Sequence, residues 1–358
     1  MQAGGEKKKK KNRNDFSKVS FGCSARERFG VSGLFFWPAG ERMHNPWIMW
    51  TTLEDSLCAL GESPFWHPHE RSLYWLDIPG RAVLRTRSEI GTAGATVERW
   101  ALPTEPGCMA PARSGGLAIA LRDGIYRARE WGGELVAMAH VEHDVRTMRF
   151  NDGKCDAGGR FWGGSLNEAK DKANAALYCF DARTGTGVAP TLTQMANEST
   201  TGNGLAFAPD ARTLYWADTA AHVVCAWDWD AEANSLSRAR VFHQFEPKPE
   251  GWTSDSSVHY EGRPDGATVD AEGHYWVAMF EGAQLLRFAP SGEIVGSVPV
   301  PVQCPTMPCF GGDDLKTLFV TSGRKGRPAA EIERYPASGA VISMRVDTPG
   351  LPVNFFED

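Results

Sequence analysis

From residue 50 onward the chain repeats one pattern six times, and few folds accommodate that. Each copy has an apolar run, a Pro/Asp/Gly-containing turn and a strand that is usually aromatic-rich. ESPFWHPHERSLYWLDI from Glu62, NDGKCDAGGRFWGGSL from Asn151 and NGLAFAPDARTLYWADT from Asn203 show it clearly. PDGATVDAEGHYWVAMF from Pro264 and PTMPCFGGDDLKTLFVTSG from Pro305 are further copies, and GCMAPARSGGLAIALRDGIY from Gly107 is a weaker one. The turns WHPHE, DAGG, PDAR, DAEG and GGDD carry hairpin chemistry. The strands after them alternate or are wholly apolar. The spacing is about 52 residues per copy, enough for four short strands. All-strand repeats of this size predict an all-β fold, a six-bladed β-propeller over residues 49–358.

Other architectures fail on specific grounds. A WD40 array has a shorter period and a Gly-His … Trp-Asp signature, and neither is seen. No Gly-rich phosphate loop opens a helix, which excludes a nucleotide-binding fold. No apolar run approaches the ~18–20 residues of a membrane-spanning helix. The 38 Gly and 22 Pro supply the many turns that a propeller needs.

The formal charge of −6 conceals a split. Residues 1–48 hold ten basic and four acidic side chains, including five consecutive lysines from Lys7 to Lys11. The remaining residues carry 28 basic and 40 acidic side chains, a net charge of −12. The lysine run repels itself, so residues 1–48 are expected to be a poorly ordered basic extension. The layout of a secretory signal is not met there. Translation from Met43 or Met49 is an alternative account of this segment. The acidic propeller argues against nucleic acid as a partner, and no membrane partner is expected. Eight cysteines, at positions 23, 58, 108, 155, 179, 225, 304 and 309, form no CxxC pair. Most sit in apolar runs, where a thiol acts as a small hydrophobe. A reducing, cytoplasmic compartment without structural disulfides is expected.

A propeller makes one position of the repeat chemically special. The first strand of each blade lines the central channel, so its start opens onto one face near the axis. The residues there are Glu62, Cys108, Asn151, Asn203, Asp265 and Thr306. Each motif taken alone reads as an ordinary turn. Four carboxylates or carboxamides at equivalent places are harder to explain by turns. Buried together they leave charge unpaired unless a cation sits among them. Two carboxylates and two carboxamides make an all-oxygen site. Such donors suit Ca²⁺, Mg²⁺ or Mn²⁺, with Zn²⁺ as an open alternative.

On these residues the chain resembles the SMP-30/gluconolactonase/luciferin-regenerating family. The motifs are LGESPFW (60–66), RFNDGK (149–154), GNGLAF (202–207) and PDGATVD (264–270). The closing PTMPCFGGDDLKTLFVTSGR (305–324) and GLPVNFF (350–356) also match, so the likeness spans about residues 50–356. The resemblance implies one divalent metal cation held by Glu62, Asn203 and Asp265, with Asn151 adjacent. It implies substrate contacts from Arg149, Asn151 and Glu168, and a general-base role for Asp265. The implied activity is hydrolysis of a sugar aldonolactone, a pentono- or hexonolactone, to the aldonic acid. The partner is then a small-molecule lactone, and a monomer or weak homo-oligomer is expected. One departure stands out: family members of the regucalcin type carry two adjacent acids after the third-blade strand, whereas this loop reads Leu166-Asn167-Glu168-Ala169. The stretch 246–262 is also longer than expected. Both differences bear on substrate choice.

Two alternatives compete with the lactonase reading. One is a calcium-binding regulatory propeller; the other is a metal-dependent ester or organophosphate hydrolase on the same site. Arg149 beside the metal residues favours an enzyme, because a pure cation site has no use for it. His67 and His69 have ligand-like spacing but are expected in a hairpin turn on the outside of a blade. Asp152 and Lys154 are read as local pairing groups. Asp77, Asp218 and Asp228 are read as blade-edge hydrogen bonders on second strands. Trp75, Trp162, Trp216 and Trp276 recur at one phase of the repeat, which predicts packing between blades. No GxSxG elbow is present, so a serine hydrolase is not expected.

Overall fold

The computed structural model describes residues 50–87, 96–183 and 189–358. The basic extension expected over residues 1–48 lies outside the described residues. Within them the chain forms six four-stranded antiparallel sheets, each wound outward from an innermost strand. The innermost strands are Gly61–His67, Pro106–Pro111, Met148–Cys155, Gly202–Phe207, Arg263–Val269 and Pro305–Gly311, which define blades 1 to 6. They contact one another around a common axis. This is the six-bladed β-propeller that the repeat predicts.

Blade 6 closes the ring. Its outermost strand is Thr51–Thr52, which pairs with Ile342–Arg345 from the other end of the chain. Joining early and late segments in one sheet leaves no open seam between the first and last blades. Apolar clusters fill the spaces between blades. Trp162 and Trp216 pack with Leu205 and Cys179 between blades 3 and 4. Trp276 packs with Phe310 and Leu318 between blades 5 and 6, and Trp75 with Phe319 and Cys309 between blades 1 and 6. The recurring tryptophans are therefore packing residues. Seven cysteines among the described residues are buried free thiols.

The two ends of the channel differ. At one end the first hairpin of each blade turns, and the C-terminal tail crosses beneath. Phe356 is fully buried, bridges to Ala112 and stacks on Phe180. Leu351 to Asn354 line a cavity of about 110 Å³ together with residues of the innermost strands. His67 ends the innermost strand of blade 1, is buried, and meets Phe355 of the tail. It is thus covered by the tail rather than set in the exposed turn, where His69 does lie. Asp77 and Asp218 end second strands and accept backbone N–H groups of incoming loops. Asp228 differs from expectation: it sits on the third strand of blade 4, Val223–Asp230, and pairs with Arg240 and Arg238. The composition of that strand mimics a second strand, because Trp227 and Trp229 flank it. No helix among the described residues is long and apolar enough to cross a membrane.

Candidate metal and substrate centre

Every innermost strand carries a bulge, and in five of the six it falls at the place the sequence singles out. The pairing shifts between Glu62 and Phe65, Phe150 and Gly153, Asn203 and Ala206, Pro264 and Ala267, and Pro305 and Pro308. A bulge bends the strand and re-aims its side chains. Glu62, Asn151, Asn203, Asp265 and Thr306 all lie at these irregularities and are all buried. In blade 2 the unpaired residue is Gly107, not the expected Cys108. A Cβ at Gly107 would meet the Phe150 carbonyl carbon at 2.4 Å, so blades 2 and 3 approach too closely for a side chain. Cys108 instead joins the core between these blades.

The carboxamides form an oriented chain. Arg149 Nη1 donates to the Phe150 carbonyl at 2.8 Å and to Asn151 Oδ1 at 2.9 Å. Asn151 Nδ2 donates to Asn203 Oδ1 at 2.7 Å, and Asn203 Nδ2 donates to Thr219 Oγ1 at 2.7 Å. Thr219 in turn donates to the Pro264 carbonyl, next to Asp265. Asn203 Oδ1 keeps a second lone pair. Asn151 has its oxygen turned to Arg149, which places it beside the donor set rather than in it. Gly204 follows Asn203 at φ +59, and a Cβ there would sit 2.4 Å from the Tyr275 hydroxyl.

The carboxylates are in the opposite condition. Glu62 Oε2 is buried and has no hydrogen-bond partner among the described residues. Burial raises the Glu62 carboxyl well above its ordinary range, and Asp265 and Asp152 add to it. Burial, then Asp152, pushes Asp265 up to about 8, against the pull of Arg263 and Lys170. Two acids that repel in a dry site call for a proton or a cation. A divalent cation fits the donors present: two carboxylates, one with an orphaned oxygen, and a carboxamide oxygen with a free lone pair. Among the described residues no group of three or more His, Cys, Asp or Glu is arranged to hold a metal, so the carboxamide is needed to complete the set.

The remaining candidates fall into place around this ring. Glu168 lies on the turn after the second strand of blade 3. Arg122 grips it with two hydrogen bonds, at 2.8 and 3.0 Å, while Arg149 is 4.0 Å away. It therefore braces Arg149 through the mouth of the site. Asp152 accepts the Leu205 N–H at 2.8 Å, and Lys154 donates to the Ala267 carbonyl at 2.7 Å. These are ties from blade 3 to blades 4 and 5, not the local pairing expected of the two residues. Sequence reading missed a second cluster at the mouth. Buried Glu281 takes Lys248, Arg327 and Arg263 at 2.9, 2.8 and 3.3 Å. Those four residues come from three distant segments, and no local signal links them.

A sequence profile of the SMP-30/gluconolactonase/LRE-like region matches residues 60–324. The chain belongs to this family. One relative is the 6-deoxy-6-sulfogluconolactonase of Pseudomonas putida, 36% identical over 83% of this chain and 94% of that protein. Regucalcin of Danio rerio is 32% identical over 82% of this chain and 93% of that protein. Among solved structures, the calcium-binding protein regucalcin of Agrobacterium tumefaciens is similar, with a TM-score of 0.74 at 25% identity. That likeness covers 86% of this chain and 97% of the other. The lactonase class expected for this family member agrees with the name of the Pseudomonas relative.

Proposed function

We propose that the chain hydrolyses a sugar aldonolactone to the aldonic acid at the axial mouth, with one divalent cation held by Glu62, Asn203 and Asp265. The observation that carries this reading is the pairing of two repelling buried carboxylates, one with an orphaned oxygen, with an arginine locked beside them. When bound, a divalent cation polarises an ester carbonyl as a Lewis acid and makes water more acidic.

The chain's own residues supply the rest. Arg149 is fixed by two acceptors, so its remaining N–H groups are pre-aimed at ring hydroxyls of a sugar. Asp265 takes a proton from the attacking water while its oxygen adds to the lactone carbonyl. The ring C–O bond then breaks, and the same proton returns to the departing ring oxygen. The Asn151–Asn203–Thr219 chain holds the donor set in one geometry, so little reorganisation is needed at reaction. A pH-indicator assay tests the reading: glucono-, xylono-, arabinono- and galactonolactone are offered to metal-stripped protein with Ca²⁺, Mg²⁺, Mn²⁺ or Zn²⁺ added back. Turnover that returns with one of these cations supports it. Tight cation binding with no turnover on any lactone would favour the regulatory alternative and reject the enzyme.

A further inference from the structure

The loop after the second strand of blade 3 carries the single acid Glu168, and its backbone is already tied down. Glu168 donates its N–H to the Thr147 carbonyl at 3.0 Å. Buried Asn167 beside it accepts the Ala169 N–H at 3.0 Å and donates to Asp171 and Asn174 at 3.1 and 2.9 Å. These bonds leave open only the direction of the Glu168 side chain. Arg122 fixes it, from the turn after the second strand of blade 2, Leu117–Leu121. Its Nη2 donates to Glu168 Oε1 at 2.8 Å and its Nη1 to Glu168 Oε2 at 3.0 Å, a two-point fork. Nη1 also reaches the carbonyls of Val145 and Met148, at 2.9 and 3.3 Å, and Nε meets Glu105 at 3.4 Å. One guanidinium thus holds the Glu168 carboxylate and the backbone that leads into Arg149.

Arg149 approaches the same carboxylate oxygen without bonding it. Its Nε is 4.0 Å from Glu168 Oε1, near enough to feel the charge and too far for a hydrogen bond. Burial lowers the Arg149 guanidinium below its ordinary value, and Glu168 is the largest charge opposing that. The two groups attract, and the fork from Arg122 holds them apart. A released Glu168 would close on Arg149 as an ion pair. That pair would take up N–H groups that Arg149 otherwise keeps for a sugar. It would also compete with the bonds from Arg149 to Asn151 Oδ1 and the Phe150 carbonyl.

We propose that Arg122 is a positioning residue for the reaction: by gripping Glu168 it keeps that carboxylate off Arg149 and leaves Arg149 free to bind the sugar ring. The inference rests on the lactonase reading. It gives Glu168 the task of supplying charge to Arg149 from a fixed distance, in place of the sugar contact that the family resemblance implies.

A double-mutant cycle on the full chain with its activating cation tests this. The constants kcat and KM are measured for Arg122→Gln, Glu168→Gln and the double variant. The probe is whichever of glucono-, xylono-, arabinono- and galactonolactone the parent turns over fastest. Arg122→Gln is expected to raise KM about fivefold or more, with kcat changed by less than about twofold. Glu168→Gln alone should leave KM within about twofold of the parent. Added to Arg122→Gln, it should bring KM most of the way back, because a neutral amide does not capture Arg149. Arg122→Lys keeps the charge and loses the fork, so a smaller rise with the same recovery is expected there. That variant carries the test if Arg122→Gln does not fold. A parent-like KM in the Arg122 variants, or no recovery on adding Glu168→Gln, overturns the inference and leaves the lactonase reading standing. A KM in Glu168→Gln as high as in Arg122→Gln also overturns it, since Glu168 would then bind the sugar itself. No turnover of any of the four lactones by the parent with any cation rejects both.

Discussion

The two ends of the innermost strands handle buried aspartates in opposite ways. At the hairpin end, Asp156 accepts the backbone N–H groups of Gly158 and Arg160, the Arg160 guanidinium at 2.7 Å and the Trp162 indole at 2.8 Å. Asp270 repeats the arrangement with Glu272, His274, Trp276 and Arg287. These carboxylates are saturated. At the mouth, Glu62 keeps an orphaned oxygen and Asp265 is pushed up to about 8. The same residue type at opposite ends of one strand has opposite surroundings. Saturated acids brace the fold, whereas unsatisfied ones are held ready for something absent from the polypeptide.

That contrast is open to direct attack. Replacing a mouth acid, by Glu62→Gln or Asp265→Asn, is expected to reduce lactone hydrolysis by about a thousandfold or more. Thermal stability in the absence of metal should be unchanged or higher, because a repelling charge has gone. Activity assays and melting curves on metal-stripped protein check both halves. Full activity in either variant with unchanged metal content would erase the distinction. Replacing a hairpin acid should do the reverse. Asp156→Ala strands the Arg160 guanidinium, which is 1% exposed, and is expected to cost about 3–5 kcal/mol of stability by denaturant unfolding. Its kcat per folded molecule should stay near the wild-type value.

The C-terminal tail sharpens the comparison from below. Phe356→Ala is expected to cost about 3–5 kcal/mol, read as a lowered midpoint in denaturant, because it empties a fully buried site against Phe161 and Phe180. Glu281 lies between the two classes and gives the smallest effect. Burial alone would raise its carboxyl, but the hydrogen bond from Lys248 and the charge of Arg263 outweigh burial and hold it below the ordinary value of 4.5. In acid the unfolded chain then binds a proton that the folded chain refuses. Its contribution is therefore full above about pH 4.5 and fades as pH falls through the depressed value. Melting curves from pH 6 to 3 should show a shallower acid loss in Glu281→Gln than in the parent.

How much of this is legible in the sequence depends on the range of each interaction. The propeller is legible because its unit recurs, and the ring positions because the repeat aligns them. Glu62, Asn151, Asn203 and Asp265 come together from four blades as the repeat requires. Cys108 misleads by one residue, because only the backbone contact between blades 2 and 3 shows that Gly107 is the unpaired position. Asp228 misleads because two third-strand tryptophans copy the look of a second strand. Closure by Thr51–Thr52, the plug around Phe356 and the cation cluster on Glu281 are silent in the sequence. Each joins segments far apart in the chain, and no spacing rule reaches that far.

The mouth acids are proposed to hold one cation that the reaction needs. This is tested most directly by titrating metal-stripped protein with a divalent cation while following bound metal and lactone turnover in the same sample. Activity is expected to rise from near zero in step with binding and to level off at one cation per chain, and Glu62→Gln to show neither rise. Full turnover by the metal-free chain, or binding in Glu62→Gln equal to that of the parent, would contradict it.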